Sequence, residues 1–353
     1  MLEAPAGLAA AQRLMQEPMR QAIDRLSPEV REVVAYHLGY DDRRSGLCEG
    51  CGRGKGIRPG LAILSAEAAG APARVGLPGA VAVELVHNFS LLHDDIIDGD
   101  RERRHRPSAW TLFGTGRAIV AGDALLALAQ QVLLEAPAHG ANAAHALADA
   151  TGAMISGQAL DMAFETLPLV GVEACLAMEG LKTGALFGCA SSLGAVLAGA
   201  GEESVAPLRA FGVQLGLAFQ AVDDLLGIWG DPSTTGKPQG SDLRRHKKTL
   251  PVAAALAQGG SASEELAELL ALSDLDEAQL VRAVHLVDLC GGRAAAAAVV
   301  RQHLAGALAA LDQAVLEAGA RGELALAARF VVGAMAAVHR APAVRDPPGR
   351  RPL

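Results

Sequence analysis

The stretch HNFSLLHDDIID, residues 87–98, is an apolar run that ends in three carboxylates. A second acidic pair, Asp223 and Asp224, stands inside another apolar run, residues 219–229. Helices of water-soluble proteins rarely hold carboxylates among apolar residues unless those charges are paired or bind a metal ion. The two clusters therefore predict two helices that face each other across one metal-binding cavity.

The spacing within the first cluster favours magnesium. Residues four apart lie on one face of a helix, so Asp94 and Asp98 project together, with Asp95 beside them. Carboxylate oxygens suit Mg²⁺, which commonly bridges protein carboxylates to substrate phosphates. The alternative, a solvated helix end, explains neither the apolar residues that lead into the acids nor the second cluster.

Lysines and arginines are frequent in the predicted loops beside these helices. Any one of them is typical of a solvated surface, but carboxylates for a metal together with cations for phosphate oxygens are typical of a diphosphate site. The cations are Lys55, Arg58, Arg101, Arg103, Arg104, Arg106, Lys182, Lys237, Arg244, Arg245, Lys247 and Lys248.

Composition indicates an all-α protein with a large core. Hydrophobic residues make up 51% of the 353 and aromatic residues only 3%, while alanine and leucine, both strong helix formers, are frequent. We predict one helical domain over residues 1–340, with residues 1–18 flexible and a disordered Pro/Arg tail at 341–353. A formal net charge of −8 argues against a nucleic-acid-binding protein.

The cysteines favour a reducing compartment. There are five, an odd number, and we expect no signal peptide because no basic segment precedes an apolar core at the N-terminus. We therefore expect a cytoplasmic protein. Cys48 and Cys51 form a CxxC without a second pair, so we interpret them as loop cysteines and not as a zinc site. No apolar run of about 20 residues is free of Gly, Asp and Glu, so we expect no membrane span.

Six blocks of the sequence, taken in order, resemble the trans-prenyltransferases, or polyprenyl diphosphate synthases. Their first motif, DDxxD followed by paired arginines, is similar to HDDIIDGDRERRHRPS, and their second, FQxxDDxxD, is similar to FQAVDDLLGIWGD. The other blocks are GKGIRP, GDALL, KTGALF and GKPQGSDLRRHKKTLP, and the six together span residues 54–251. A single DDxxD is a weak signal, whereas six blocks in order are a strong one.

The resemblance implies an isoprenoid synthase fold, a single large helical bundle around a central cavity. It also implies three Mg²⁺ ions, two held by Asp94 and Asp98 with Asp95 in support, and a third held by Asp223 with Asp224 nearby. Residues at allylic diphosphate positions are Arg103, Lys182, Lys237 and Lys247. Residues at isopentenyl diphosphate positions are Lys55, Arg58, His87 and Arg104, and those beside the reacting carbons are Thr183 and Gln220.

The activity implied is the Mg²⁺-dependent head-to-tail condensation of isopentenyl diphosphate with an allylic diphosphate. Phe89 lies five positions before Asp94, about 7.5 Å deeper along a helix, with the small Ser90 after it. Phe89 is either ordinary core or a floor that stops chain growth. In the family, this pattern without an insertion in DDxxD is similar to one class of geranylgeranyl diphosphate synthases. We therefore expect a C20 product, with farnesyl diphosphate (C15) as the alternative.

The chain departs from the family pattern at two glycines. Gly56 replaces the first arginine of GGKRxRP, and Gly227 replaces the last acid of the second motif. Because Asp223 is kept, we expect activity, and the alternative is a catalytically weak or regulatory subunit. A terpene cyclase is disfavoured because the isopentenyl diphosphate positions are present and aromatic residues are few.

The resemblance further implies a homodimer. The motif frames are similar to those of actinobacterial enzymes, some encoded beside encapsulin-type shell proteins. Either terminus is therefore a possible docking peptide for such a shell, the alternative being an ordinary frayed end.

Overall fold

A computed structural model of the chain describes residues 4–40, 56–104, 106–231 and 239–333. The first half of these residues forms helices α1 (Ala6–Ile23), α2 (Pro28–His37), α3 (Ile57–Ala68), α4 (Leu77–Ile97), α5 (Ala109–Phe113), α6 (Thr115–Leu134) and α7 (Gly140–Glu165). The second half forms α8 (Val172–Glu179), α9 (Ala185–Leu197), α10 (Glu202–Trp229), α11 (Ser241–Arg244), α12 (Leu250–Ala257), α13 (Ser261–Leu270), α14 (Glu277–Leu289), α15 (Gly292–Gln313) and α16 (Ala318–Gly333). A 3₁₀ turn, Ala73–Gly76, precedes α4, and a π-helical turn, Gly180–Gly184, joins α8 to α9.

The helices form one bundle, which confirms the all-α prediction. The longest helix, α10, packs against α9 and α15, while α4 packs against α6 and α3 against α9. One apolar core joins α1, α3, α4, α6, α7 and α9, and a second lies between the end of α10 and α12, α14 and α15. The two acidic motifs, on α4 and α10, are thus carried by helices at the centre of the bundle.

A short β-ribbon follows the first acidic motif, where the sequence suggested no strands. Strand β1 (Glu102–Arg103) pairs antiparallel with β2 (Arg106–Pro107). The turn between them includes Arg104 in the left-handed region, with φ +53°. The ribbon folds this arginine-rich segment back towards the end of α4, so that Arg103 lies beside Asp95.

The expectation of a flexible N-terminus is wrong for residues 6–18, which belong to α1. Leu8, Ala11, Met15 and Met19 recur every three or four residues, and all four are buried. This periodicity gives α1 an apolar face that packs against α3. The predicted tail, residues 341–353, and the CxxC motif lie outside the described residues.

Five helical stretches among the described residues are long and apolar enough, by length and composition alone, to cross a membrane. They are residues 73–97, 115–134, 172–197, 202–229 and 292–313. The sequence analysis did not predict them, because it required an apolar run without glycine or acidic residues. In the bundle, between 33% and 72% of the residues in each apolar window are buried against other parts of the chain.

Candidate active site

The first acidic motif lies at the end of α4. Asp94 and Asp98 are both partly exposed and lie one helical turn apart, since the Asp98 amide donates to the Asp94 carbonyl at 2.8 Å. Burial raises the pKa of Asp94. Burial acts in the same direction on Asp98, but the charge and hydrogen bond of Lys247 outweigh it and lower the pKa of that carboxyl. The Lys247 Nζ lies 3.0 Å from Asp98 Oδ2, so Asp98 stays ionised at neutral pH.

Asp95 faces the protein interior and holds one of the predicted diphosphate ligands. Its side chain is only 1% exposed. Arg103 Nε and one terminal nitrogen lie 2.7 and 2.6 Å from Asp95 Oδ1, which makes a charge-assisted pair of contacts. Asp95 therefore positions the Arg103 guanidinium, whereas the sequence analysis expected it to support Asp94 and Asp98 in binding Mg²⁺.

The two acids of the second motif, on α10, also differ in exposure. Asp223 is exposed, whereas Asp224 is 4% exposed. Asp224 accepts hydrogen bonds from the Leu250 amide and from Gln220 Nε2, both at 2.9 Å. Thr183 Oγ1 in turn donates to Gln220 Oε1 at 2.8 Å. These bonds fix the Gln220 amide in one orientation, with its nitrogen towards Asp224 and its oxygen towards Thr183.

A further buried acid, Glu179, lies beside Asp224 and was not predicted from the sequence. Burial, with the nearby Asp224 charge, raises the pKa of Glu179 well above its usual range, and burial raises the pKa of Asp224 to about 7. Glu179 therefore retains its proton at neutral pH and supports Asp224 without adding charge. The Cys175 thiol donates to Glu179 Oε1 at 3.3 Å. The only sequence signal was an acid inside the apolar segment VEACLAMEG.

Lys182 is presented by the π-helical turn between α8 and α9. Its ammonium forms an ion pair with Asp161 on α7. The turn can approach α7 so closely because residue 157 is glycine: a Cβ there would overlap the backbone nitrogen and Cα of Lys182. Asp161 was missed by the sequence analysis, although GQALD, residues 157–161, places the glycine and the acid one turn apart.

A pocket of about 210 Å³ lies between α3, α4 and α10. Three predicted isopentenyl diphosphate residues line it, namely Arg58, His87 and Arg104, and Asp223 lies at its wall. The structure thus brings Asp223 of the second acidic motif together with these three residues. Two further predicted substrate-binding residues, Lys55 and Lys237, lie outside the described residues.

Arg58 is held over an aromatic surface inside this pocket. Its guanidinium carbon lies 4.3 Å from the ring centroid of Phe187 and 5.8 Å from that of Phe219, both suitable for cation–π attraction. Burial lowers the pKa of Arg58 to about 10, which leaves it charged at neutral pH. Burial, followed by the charge of Arg58, lowers the pKa of His87 well below its usual value. His87 is therefore a neutral imidazole, with Nε2 3.4 Å from an Arg58 nitrogen.

Phe89 packs against His93 on its own helix, and His93 in turn contacts the neighbouring helix α6. It is 7% exposed, and its ring packs edge-on against His93 with the centroids 4.8 Å apart. His93 Nε2 donates to the Ile119 carbonyl at 3.2 Å, and its imidazole lies where a side chain at Gly122 would stand. Ser90 donates to the His87 carbonyl at 2.8 Å, which keeps its small side chain against its own helix. The aromatic ring of Phe89 is therefore braced and cannot easily move aside.

The accessible acids of the two motifs suit Mg²⁺, although they do not surround an ion by themselves. Among the described residues, no group of three His, Cys, Asp or Glu side chains is clustered closely enough to hold an ion by itself. Mg²⁺ is usually bound by one or two carboxylates together with waters and substrate phosphates. Asp94, Asp98 and Asp223, which are hard oxygen donors with accessible side chains, meet that requirement.

Comparisons with known proteins agree with this arrangement. The family model described as polyprenyl synthetase matches residues 49–287. The (2E,6E)-farnesyl diphosphate synthase of Mycobacterium tuberculosis is 48% identical over 303 residues, which covers 84% of each chain. The geranylgeranyl diphosphate synthase of the same organism is 42% identical over 300 residues, covering 84% of this chain and 85% of the relative.

The fold is also found in solved structures. A polyprenyl synthetase from Streptomyces coelicolor A3(2) superposes with a TM-score of 0.88 at 50% identity. The match covers 93% of this chain and 99% of the other. This likeness extends over the helices that carry both acidic motifs.

Proposed function

This chain belongs to the polyprenyl synthetase family and is a prenyl diphosphate synthase, and we propose that its main product is farnesyl diphosphate. The observation that carries the product length is the 48% identity, over 303 residues, to a farnesyl diphosphate synthase. This proposal replaces the C20 product expected from the sequence by the C15 alternative.

Geranylgeranyl diphosphate is the second candidate product. It is favoured by the position of Phe89, five residues before an uninterrupted DDIID, and by the 42% identity to a geranylgeranyl diphosphate synthase. The two candidates share all of the chemistry and differ only in the depth at which chain growth stops.

The reaction requires an allylic C–O bond to ionise, which creates a carbocation and a diphosphate leaving group. Asp94, Asp98 and Asp223 would hold Mg²⁺, which when bound would supply positive charge to stabilise the departing diphosphate. Arg103, oriented by Asp95, and Lys182 supply further donors to the phosphate oxygens. Donors that are already oriented stabilise the developing negative charge without reorganising during the reaction.

The second substrate is bound in the pocket of Arg58, His87 and Arg104. The fixed guanidinium of Arg58 holds the isopentenyl diphosphate, while the neutral His87 donates a hydrogen bond without competing for the acids. Gln220 is oriented by its hydrogen bond to Asp224, and Thr183 by its hydrogen bond to Gln220, so that their oxygens present negative dipole ends to the carbocation. The departing diphosphate accepts the proton released after the new C–C bond forms.

Product analysis tests this proposal. Purified enzyme with Mg²⁺ and isopentenyl diphosphate should convert dimethylallyl and geranyl diphosphates into farnesyl diphosphate and leave added farnesyl diphosphate unchanged. Efficient elongation of farnesyl diphosphate to a C20 product would instead establish the second candidate. Omission of Mg²⁺ is the control, and it should abolish diphosphate release from every substrate.

We also propose that the protein is a homodimer, joined through α6 and α7. Both helices expose large apolar side chains, and apolar surface of this kind is typical of protein–protein contacts. The residues are Ile119, Val120, Leu134, Ile155, Leu160 and Met162.

Light scattering should therefore give twice the 36.1 kDa of one chain. Replacement of Val120 by aspartate should shift the protein towards monomer, because a charge would be buried at the contact. The matched control is Leu289→Asp, an exposed leucine on α14, which should leave the mass unchanged. A wild-type protein of single-chain mass would contradict the proposal.

A further inference from the structure

Asn88 is a buried polar residue in the middle of α4, the helix that ends in the first acidic motif. Its side chain is 0% exposed, and its neighbours Leu85 and Phe89 are also buried. Asparagine is unfavourable inside a helix, and a buried amide costs free energy unless its polar atoms are bonded. The hydrogen bonds of Asn88 therefore indicate what this residue does.

The Asn88 amide holds the side chain of Glu84, which lies one turn earlier on α4. Asn88 Nδ2 donates to the Glu84 carbonyl oxygen at 2.8 Å and to Glu84 Oε1 at 3.1 Å. Both partners are acceptors, so the amide nitrogen and not the amide oxygen must face them. The bond to the backbone fixes the amide, and the fixed amide restrains a carboxylate that would otherwise rotate about several side-chain torsions.

The restrained carboxylate belongs to the wall of the isopentenyl diphosphate pocket. Glu84 lines this pocket together with Arg58, His87 and Arg104. Burial lowers the pKa of both arginines, and the Glu84 charge is the strongest influence in the opposite direction on each of them. Glu84 is therefore the counterion that offsets the cost of keeping two buried guanidiniums charged.

A counterion in a diphosphate pocket also competes with the substrate for the same donors. The Arg58 guanidinium carbon lies 4.3 Å from the ring centroid of Phe187, and an Arg58 nitrogen lies 3.4 Å from His87 Nε2. Arg58 Nε is buried and has no hydrogen-bond partner among the described residues. A carboxylate released from Asn88 would be free to pair directly with the guanidinium, and an incoming diphosphate would then have to displace it.

We propose that Asn88 is a positioning residue for isopentenyl diphosphate: it holds the Glu84 carboxylate so that Arg58 and Arg104 stay charged and open to that substrate. Asn88 is itself buried and does not contact the substrate. The inference rests on the prenyl transfer and on the isopentenyl diphosphate pocket proposed above. It gives Asn88 a part in the affinity for one of the two substrates and none in the chemical step.

The first test removes the amide donor. Asn88→Leu keeps the approximate shape of the side chain, and we expect it to raise the KM for isopentenyl diphosphate by about tenfold, the scale of a lost hydrogen bond to a charged group. The KM for geranyl diphosphate and kcat should stay within about twofold of the wild type, because only one substrate site is changed. Each KM is measured with the other substrate and Mg²⁺ saturating. Asn88→Ala lacks the same donor and should give the same rise, so it serves as a second variant if Asn88→Leu folds poorly.

The matched control is Thr151→Val on α7. The Thr151 hydroxyl is buried and donates to the Leu147 carbonyl at 2.7 Å, so it makes the same kind of bond to its own helix, one turn back. Its loss should leave the KM of both substrates unchanged.

A double-mutant cycle separates this role from a general effect on α4. If Asn88 acts through the Glu84 carboxylate, Asn88→Leu should raise the KM for isopentenyl diphosphate by less than about threefold in a Glu84→Gln background, where no carboxylate remains to be held.

Three results would overturn the role of Asn88. They are an unchanged KM for isopentenyl diphosphate in a folded Asn88 variant, an equal rise in KM for both substrates, and an undiminished rise in the Glu84→Gln background. Wild-type protein that does not condense isopentenyl diphosphate with geranyl diphosphate would instead contradict the proposed function.

Discussion

Replacement of Asp98 by asparagine should lower kcat/KM for prenyl transfer by about a thousandfold, the scale expected when electrostatic stabilisation of a leaving group is lost. The variant keeps the shape of the side chain but removes the carboxylate that we propose binds Mg²⁺ and that lies 3.0 Å from the Lys247 ammonium. It also removes the carboxylate that pairs with the Lys247 ammonium. Because Lys247 is itself expected to contact the allylic diphosphate, the variant should weaken binding of that substrate as well.

Steady-state kinetics at saturating Mg²⁺ would measure this loss. Asp149→Asn is the control, since it removes an exposed carboxylate on α7 that pairs with His145. It should retain full activity. A loss of less than tenfold in Asp98→Asn, with the melting temperature preserved, would show that Asp98 is not a metal ligand.

Replacement of Phe89 by alanine should lengthen the product from C15 to C20 or beyond. The ring is 7% exposed and braced by His93, which is itself held at 3.2 Å to the Ile119 carbonyl. Removal of the ring opens space below Asp94 along α4, the direction in which the chain grows. We expect a cost of about 3 kcal/mol in the free energy of unfolding, because a buried aromatic ring leaves a cavity.

Chromatography of the dephosphorylated products would show the change in length. The control is Ser90→Ala, which alters the next residue, keeps a small side chain, and should leave the product unchanged. An intermediate shift is expected for Phe89→Leu, since it fills part of the space. If Phe89→Ala folds and still stops at the wild-type length, Phe89 is ordinary core and the floor lies elsewhere.

Local patterns in the sequence were enough to predict the helices and the class of reaction. The spacing of Asp94 and Asp98, the apolar residues before them and the neighbouring cations all depend on residues within a few turns of one another. The predicted all-α bundle is confirmed, and the described members of the predicted site, apart from the chain-length pair Phe89 and Ser90, lie around one region. The six family motifs predicted the family because each is a short local pattern and all six occur in the expected order.

Errors arose where distant contacts decide the outcome. Residues 6–18 are ordered because α3 covers the apolar face of α1. Asp161 and Glu179 were missed because each reaches the site through the packing of a separate segment, Asp161 beside Lys182 and Glu179 beside Asp224.

The sequence by itself determined that carboxylates would stand at two points on apolar helices, beside lysines and arginines for phosphate. Only the tertiary structure decided which of the adjacent acids remain accessible and which are buried. Successive residues on an α-helix point about 100° apart. Asp94 and Asp223 are therefore accessible, while their neighbours Asp95 and Asp224 turn into the bundle and position Arg103 and Gln220.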